Sequence, residues 1–129
     1  MRKEVDEKAI YLKEALEEAI QSIEKCIKSH SKVLKIGYNG YITIFPDEIR
    51  QLTWLTSLYM VCTEIRTLPD WIGELENLRI LDISSNQNIR KLPSSLINLK
   101  HLKKLNLDNT GLKKLQFLLE KYLHWSYWI

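Results

Sequence analysis

LTSLYMVCTEIRTLPDWIGELENL occupies residues 55–78. Its apolar residues fall at Leu55, Leu58, Met60, Ile65, Leu68, Ile72, Leu75 and Leu78, with Thr63 between them and Pro69 directly after Leu68. Leu58-x-Met60 turns two apolar side chains to the same side of a strand, because strand side chains alternate with a period of two. The same arrangement recurs on both sides of this stretch. Leu34-x-Ile36 is followed by Asn39, Leu81-x-Ile83 by Asn86, and Leu105-x-Leu107 by Thr110. The anchors at 34, 58, 81 and 105 stand 24, 23 and 24 residues apart. Proline returns at Phe45-Pro46 and Leu92-Pro93. A period in the twenties means stacked units, none able to bury its apolar face alone.

Size and composition agree with a short stack. The chain has 129 residues, 45% hydrophobic and 27% charged, which suits a folded domain rather than a disordered one. A formal charge of +3 is too small to imply nucleic acid, and no apolar run is long enough for a transmembrane helix. The charged N-terminus lacks an apolar signal core, so a cytoplasmic location is expected. Cys26 and Cys62 form no CxxC or Cys/His cluster and read as a reduced pair.

Ahead of the units, Val5, Ala9, Leu12, Leu16, Ile20, Ile23 and Ile27 recur at steps of three and four. That spacing predicts an amphipathic helix over 4–28, ending at Ser29-His30-Ser31. The end of a stack exposes a sheet edge and a layer of leucines, so this helix is expected to cap it. At this length it spans roughly 35–40 Å, which leaves room for an overhang and for a coiled-coil or partner-binding role.

Aligned on the anchors, each unit reads apolar-x-x-L-x-L-x-x-N/T, an apolar residue, then L-P-x-x-I-x-x-L-x-x-L. The third unit fills it with Leu81, Ile83, Asn86, Ile89, Leu92-Pro93, Leu96, Leu99 and Leu102. This pattern resembles the leucine-rich repeat family, and the L-P-x-x-I segment resembles its intracellular subtypes in bacterial effectors, Ras-pathway scaffolds and plant proteins. The resemblance implies an α/β fold: a short solenoid with a parallel concave sheet and an N-terminal capping helix. The expected parts are the helix at 1–31, four repeats at 32–117, and a helical, aromatic cap at 118–129, where Gln116 replaces the proline.

The resemblance also implies where a partner would sit. Members usually bind on the concave strand face, through the residues between and after the ladder leucines. Carried over, the candidates are Lys35 and Tyr38, Tyr59 and Val61, Asp82 and Ser84, Asn106 and Asp108, with Gly37, Cys62, Ser85 and Asn109 beside them. The first two strands offer aromatic and aliphatic side chains, the last two amides, hydroxyls and carboxylates. Exposed aromatics beside polar groups are typical anchors of interfaces.

The remaining chemistry is sparse. The three histidines are scattered, and no nucleophile elbow, phosphate loop or metal-ligand spacing appears. No catalysis, cofactor or metal is therefore expected. Residues 90–121 hold eight Lys/Arg and two acids, but without the stacking aromatics that nucleic acid would need. The expectation is a protein partner, with neither nucleic acid nor membrane. Two alternatives stay open: a self-associating unit that uses the N-terminal helix or the aromatic C-terminus, and the recognition part of a larger bacterial effector or ligase-like protein.

Overall fold

The computed structural model describes residues 2–37 and 40–112. A helix, α1 (Arg2–Ser29), leads into four short strands: β1 (Val33–Gly37), β2 (Ser57–Val61), β3 (Ile80–Asp82) and β4 (Lys104–Asn106). The strands form one parallel sheet in chain order. Leu34, Leu58, Leu81 and Leu105 lie in register across it. The expected solenoid with a parallel sheet and an N-terminal helix is what forms. The aromatic segment 118–129 lies outside the described residues.

Each coil descends from its strand and returns through one turn of 3-10 helix, at Asp47–Gln51, Asp70–Glu74 and Ser94–Asn98. Pro46, Pro69 and Pro93 precede these turns with φ of −65°, −70° and −69°. The pyrrolidine ring fixes that angle, and the missing N–H is not needed at a helix start. Their carbonyls accept the N–H of Ile49, Ile72 and Leu96, which closes each turn. The ladder residues between strand and turn form one buried core, with Leu52, Leu55, Leu58, Met60, Ile72, Leu75, Leu78, Leu81, Leu96 and Leu105 wholly inaccessible. Each such side chain contributes roughly 1.5–3 kcal/mol relative to exposure.

One amide ties two coils together. Asn86 is buried, and its Nδ2 donates to the carbonyls of Met60 at 2.7 Å and Ile83 at 2.8 Å. Its Oδ1 accepts the Thr63 N–H at 2.9 Å and also the Thr63 hydroxyl. The side chain thus satisfies polar groups of its own coil and the one before it, where water does not reach.

The helix covers the open edge of β1 and the first 3-10 turn. It ends on His30, whose φ of 52° is left-handed. The His30 N–H bonds the Ile27 carbonyl and the Ser31 N–H bonds the Cys26 carbonyl, the pattern of a Schellman stop. Glycine usually fills that position. Here the His30 ring stacks on Trp54 at 3.9 Å, and Trp54 Nε1 donates to the Ser31 carbonyl at 2.9 Å. A second-coil tryptophan therefore anchors the end of the cap.

The helix departs from the sequence expectation in how it is turned. Its most deeply buried residues are Ala15, Ala19, Ile23 and Cys26, whereas Ala9 is exposed and Ile20 is 36% exposed. Small residues let the helix approach the first coil closely, and larger ones on the same stripe are left at its flank. The described side chains before Leu12 are exposed, and among them Tyr11 stacks on Tyr41 of the first coil with ring centroids 5.1 Å apart.

Asn86→Ala is expected to lower stability by about 3 kcal/mol, since it strands a buried N–H and two carbonyls. Equilibrium denaturant unfolding measures this, and a loss below about 1 kcal/mol would mean that water replaces the amide.

Candidate functional site

The pleat that buries the leucines turns the alternate residues outward. Lys35, Tyr59, Asp82 and Asn106 are in register, one per strand, and form the first outward row. Neighbouring members of such a row are roughly 4.8 Å apart. Gly37 and Val61 begin the second row, which continues through Ser84 and Asp108 beyond the ends of β3 and β4. The coils stay paired there: the Cys62 N–H reaches the Ser84 carbonyl at 3.1 Å, and the Ser85 N–H the Asp108 carbonyl at 2.8 Å.

The rows are polar at both ends and apolar between. Lys35 Nζ stands 5.4 Å from the Tyr59 ring centroid, a cation over an aromatic face. Val61 lies beside Tyr59, and both are half-buried. Further along, Asp82 Oδ1 accepts the Ser84 N–H at 3.0 Å, and Oδ2 accepts Asn106 Nδ2 at 3.2 Å. Asn106 Oδ1 in turn accepts the Asp108 N–H at 3.0 Å. These bonds fix the side chains of Asp82 and Asn106. Asp108 is exposed.

Together Lys35, Gly37, Tyr59, Val61, Asp82 and Ser84 line an open groove of about 550 Å³. Five of the eight residues singled out from the sequence meet in it. Asn106 and Asp108 continue the rows beyond it, and Tyr38 lies outside the described residues. Gly37 shapes the near end. A Cβ there would stand 2.4 Å from the Val61 carbonyl oxygen, so any side chain would push β1 from β2.

A third row, at the rim, has a backbone property that residue spacing did not reveal. Cys62, Ser85 and Asn109 take φ of 57°, 59° and 55°. At each, the chain leaves its strand through a left-handed residue and turns toward the core, with no glycine as a signal.

The opposite face holds a hollow of about 410 Å³ that the sequence reading did not anticipate. Asp70, Glu74 and Glu76 line it beside Lys100 and His101. The only available signal was the run of acids around the second 3-10 turn. Among the described residues, no group of His, Cys, Asp and Glu is placed to hold a metal ion.

A model of leucine-rich repeat regions matches residues 15–122. The chain is 36% identical over 76 residues to TMV resistance protein N of Nicotiana glutinosa, covering 58% of this chain and 7% of that protein. It is 35% identical over 104 residues to disease resistance protein UNI of Arabidopsis thaliana, covering 67% of this chain and 12% of that protein. A flightless-1 homolog of Caenorhabditis elegans is 31% identical over 84 residues, or 64% of this chain and 7% of that protein. The chain therefore spans about a tenth of the length of these relatives. Among solved structures, a leucine-rich repeat protein of Leptospira interrogans superposes with a TM-score of 0.52 at 23% identity, over 74% of this chain and 30% of that one. That likeness concerns the fold.

The two thiols differ in access. Cys26 is buried under α1, and burial pushes its thiol up, partly offset by a hydrogen bond with Trp54. Cys62 is exposed at the rim. A colorimetric thiol reagent at neutral pH is expected to modify Cys62 at once and Cys26 only with unfolding. Equal rates in the native protein would show that the helix does not seal the first coil.

Proposed function

Because the chain belongs to the leucine-rich repeat family, we propose that it is a non-catalytic interaction module that holds a protein partner on its concave sheet face. The observation that carries this reading is the groove of about 550 Å³. Lys35, Tyr59, Val61, Asp82 and Ser84 converge there from three consecutive strands. An aromatic and an aliphatic side chain form its middle, with an ammonium at one end and a carboxylate at the other. Interfaces combine apolar anchors and polar surroundings in this way.

The groove is small beside a standard interface, which buries roughly 800 Å² on each partner. A partner would therefore extend along the rows to Asn106 and Asp108. The sequence change from Lys35 to Asp108 gives this surface a direction. A bound segment would place an acidic group toward β1 and a basic one toward β4. Complementary charge of this kind sets orientation and on-rate more than affinity.

A second reading is that recognition here serves a longer protein, as the 7% and 12% coverage of the two resistance proteins suggests. In that reading the concave face selects the partner and other domains act on it. The two free cysteines suit a reducing, cytoplasmic setting.

Tyr59→Ala and Asp82→Ala are expected to abolish crosslinking of a partner to a photoreactive residue placed at Ser84. Stability should change by less than about 1 kcal/mol, because both side chains are half-exposed. The same photoreactive residue at Glu76, on the opposite face, should capture nothing specific. Capture that survives both substitutions would remove the concave face from consideration.

A further inference from the structure

The sheet has a basic edge where its strands begin. The Thr56 N–H bonds the Lys32 carbonyl, the Arg79 N–H that of Thr56, and the Lys103 N–H that of Arg79, so these four residues stack in one row at the strand entry. Lys32, Arg79 and Lys103 are exposed. The next position alternates with the buried leucines and turns outward, with Val33, Ser57, Ile80 and Lys104 in register. At the β1 end the charge continues onto α1. There Lys25 and Lys35 line a crevice of about 230 Å³ with Ser22, Ser31 and Val33, and no acid lines it.

These cations have no counter-charge in the protein. Among the described residues, none of Lys25, Lys32, Arg79, Lys103 and Lys104 pairs with a carboxylate; the ion pair there is Arg50 with Glu74. Asp82, in the neighbouring row, gives its oxygens to the Ser84 N–H and the Asn106 amide. Like charges side by side on adjacent strands repel, and Arg79 and Lys103 stand so. Arg50 and Glu74 show that one coil can set an opposite charge against the next. At the strand entry this sequence places cation beside cation instead.

We propose that the strand-entry row is an electrostatic docking strip for a carboxylate-rich segment of a protein partner, which lies along the basic margin of the groove; this rests on the concave-face reading above. Charge complementarity selects the occupant. Nucleic acid suits the strip poorly, because Val33 and Ile80 stand between the cations where bases would need rings to stack on. Asp82 and Asp108 on the same face would also repel an evenly charged phosphate chain. A protein segment can be acidic along one margin only. With its acids on the entry row, its middle would meet Tyr59 and Val61.

Fluorescence anisotropy of the full chain with a labelled peptide of alternating glutamate and alanine tests the strip. The peptide is expected to bind, and to bind at least tenfold more weakly when ionic strength rises from about 0.02 to about 0.2 M, since salt screens exposed charges. The same peptide with glutamine for glutamate should not bind. The variant R79Q/K103Q should weaken binding roughly tenfold, while its melting temperature holds or rises because a repulsion is gone. R66Q/R90Q loses the same charge outside the strip and should bind like the unaltered chain. Equal weakening by both variants would reduce the effect to net charge and overturn the proposal, as would binding indifferent to R79Q/K103Q. Tighter, strip-dependent binding of an oligothymidylate of equal length would give the strip to nucleic acid instead. Crosslinking from Ser84 separates the strip from the groove. A crosslink lost in Tyr59→Ala but kept in R79Q/K103Q would leave the groove and remove the strip. Strip-dependent peptide binding with no capture from Ser84 in the unaltered chain would uphold the strip and remove the groove.

Discussion

No coil of this protein can bury its own leucines. Each strand is three to five residues long, and its inward side chains meet apolar neighbours only when the next coil stacks in register. The same stacking supplies the parallel hydrogen bonds that such short strands lack alone. Asn86 turns this dependence into a polar bond, since its buried amide is satisfied only if the coil before it is in place. Stability is therefore a property of contacts between units, and it grows with each unit added. The contact at the N-terminal end of the described stack matters for the same reason. This accounts for a cap fastened by a ring stack and a tryptophan hydrogen bond as well as by apolar contact.

The surface follows the same repeat. Arg50 pairs with Glu74 at 2.9 Å, Trp71 Nε1 reaches Asp47 at 3.4 Å, and Asn77 Nδ2 reaches the Thr53 carbonyl at 2.9 Å. Each of these joins residues 24 apart. The exposed ion pair adds little to stability, since solvent screens it. Their common spacing nevertheless favours one register over a slipped one, because a shift by one residue breaks all of them together. The concave rows inherit that precision. Lys35, Tyr59, Asp82 and Asn106 stand side by side because the leucines behind them do.

Much of this could be read from the chain because the repeat states each position several times. Leu34, Leu58, Leu81 and Leu105 give the strands, and the three prolines give the return turns. The outward residues then follow by alternation. What could not be read has specific causes. The helical stripe from Ala9 to Ile27 is broad enough to dock in more than one rotation, and hydropathy favours its isoleucines. Packing instead selected the side with Ala15 and Ala19, where backbone can come close. The Trp54 contact with His30 joins residues of different repeat positions, so no alignment of units points to it. The hollow beside Asp70 and Glu76 arises from the gap between two 3-10 turns, which spacing along the chain does not describe.

The left-handed residues at the rim set a limit on how such a surface can diversify. Cys62, Ser85 and Asn109 sit beside the rows that face a partner, yet their backbone angle disfavours branched and bulky side chains. Apart from Gly37, the two inner rows carry no such restriction, and there lysine, tyrosine, valine and aspartate all occur. New specificities in a protein of this shape would therefore be written in the inner rows, with the rim confined to a small alphabet. Selection acting on recognition and selection acting on backbone geometry would leave separate records, a single residue apart.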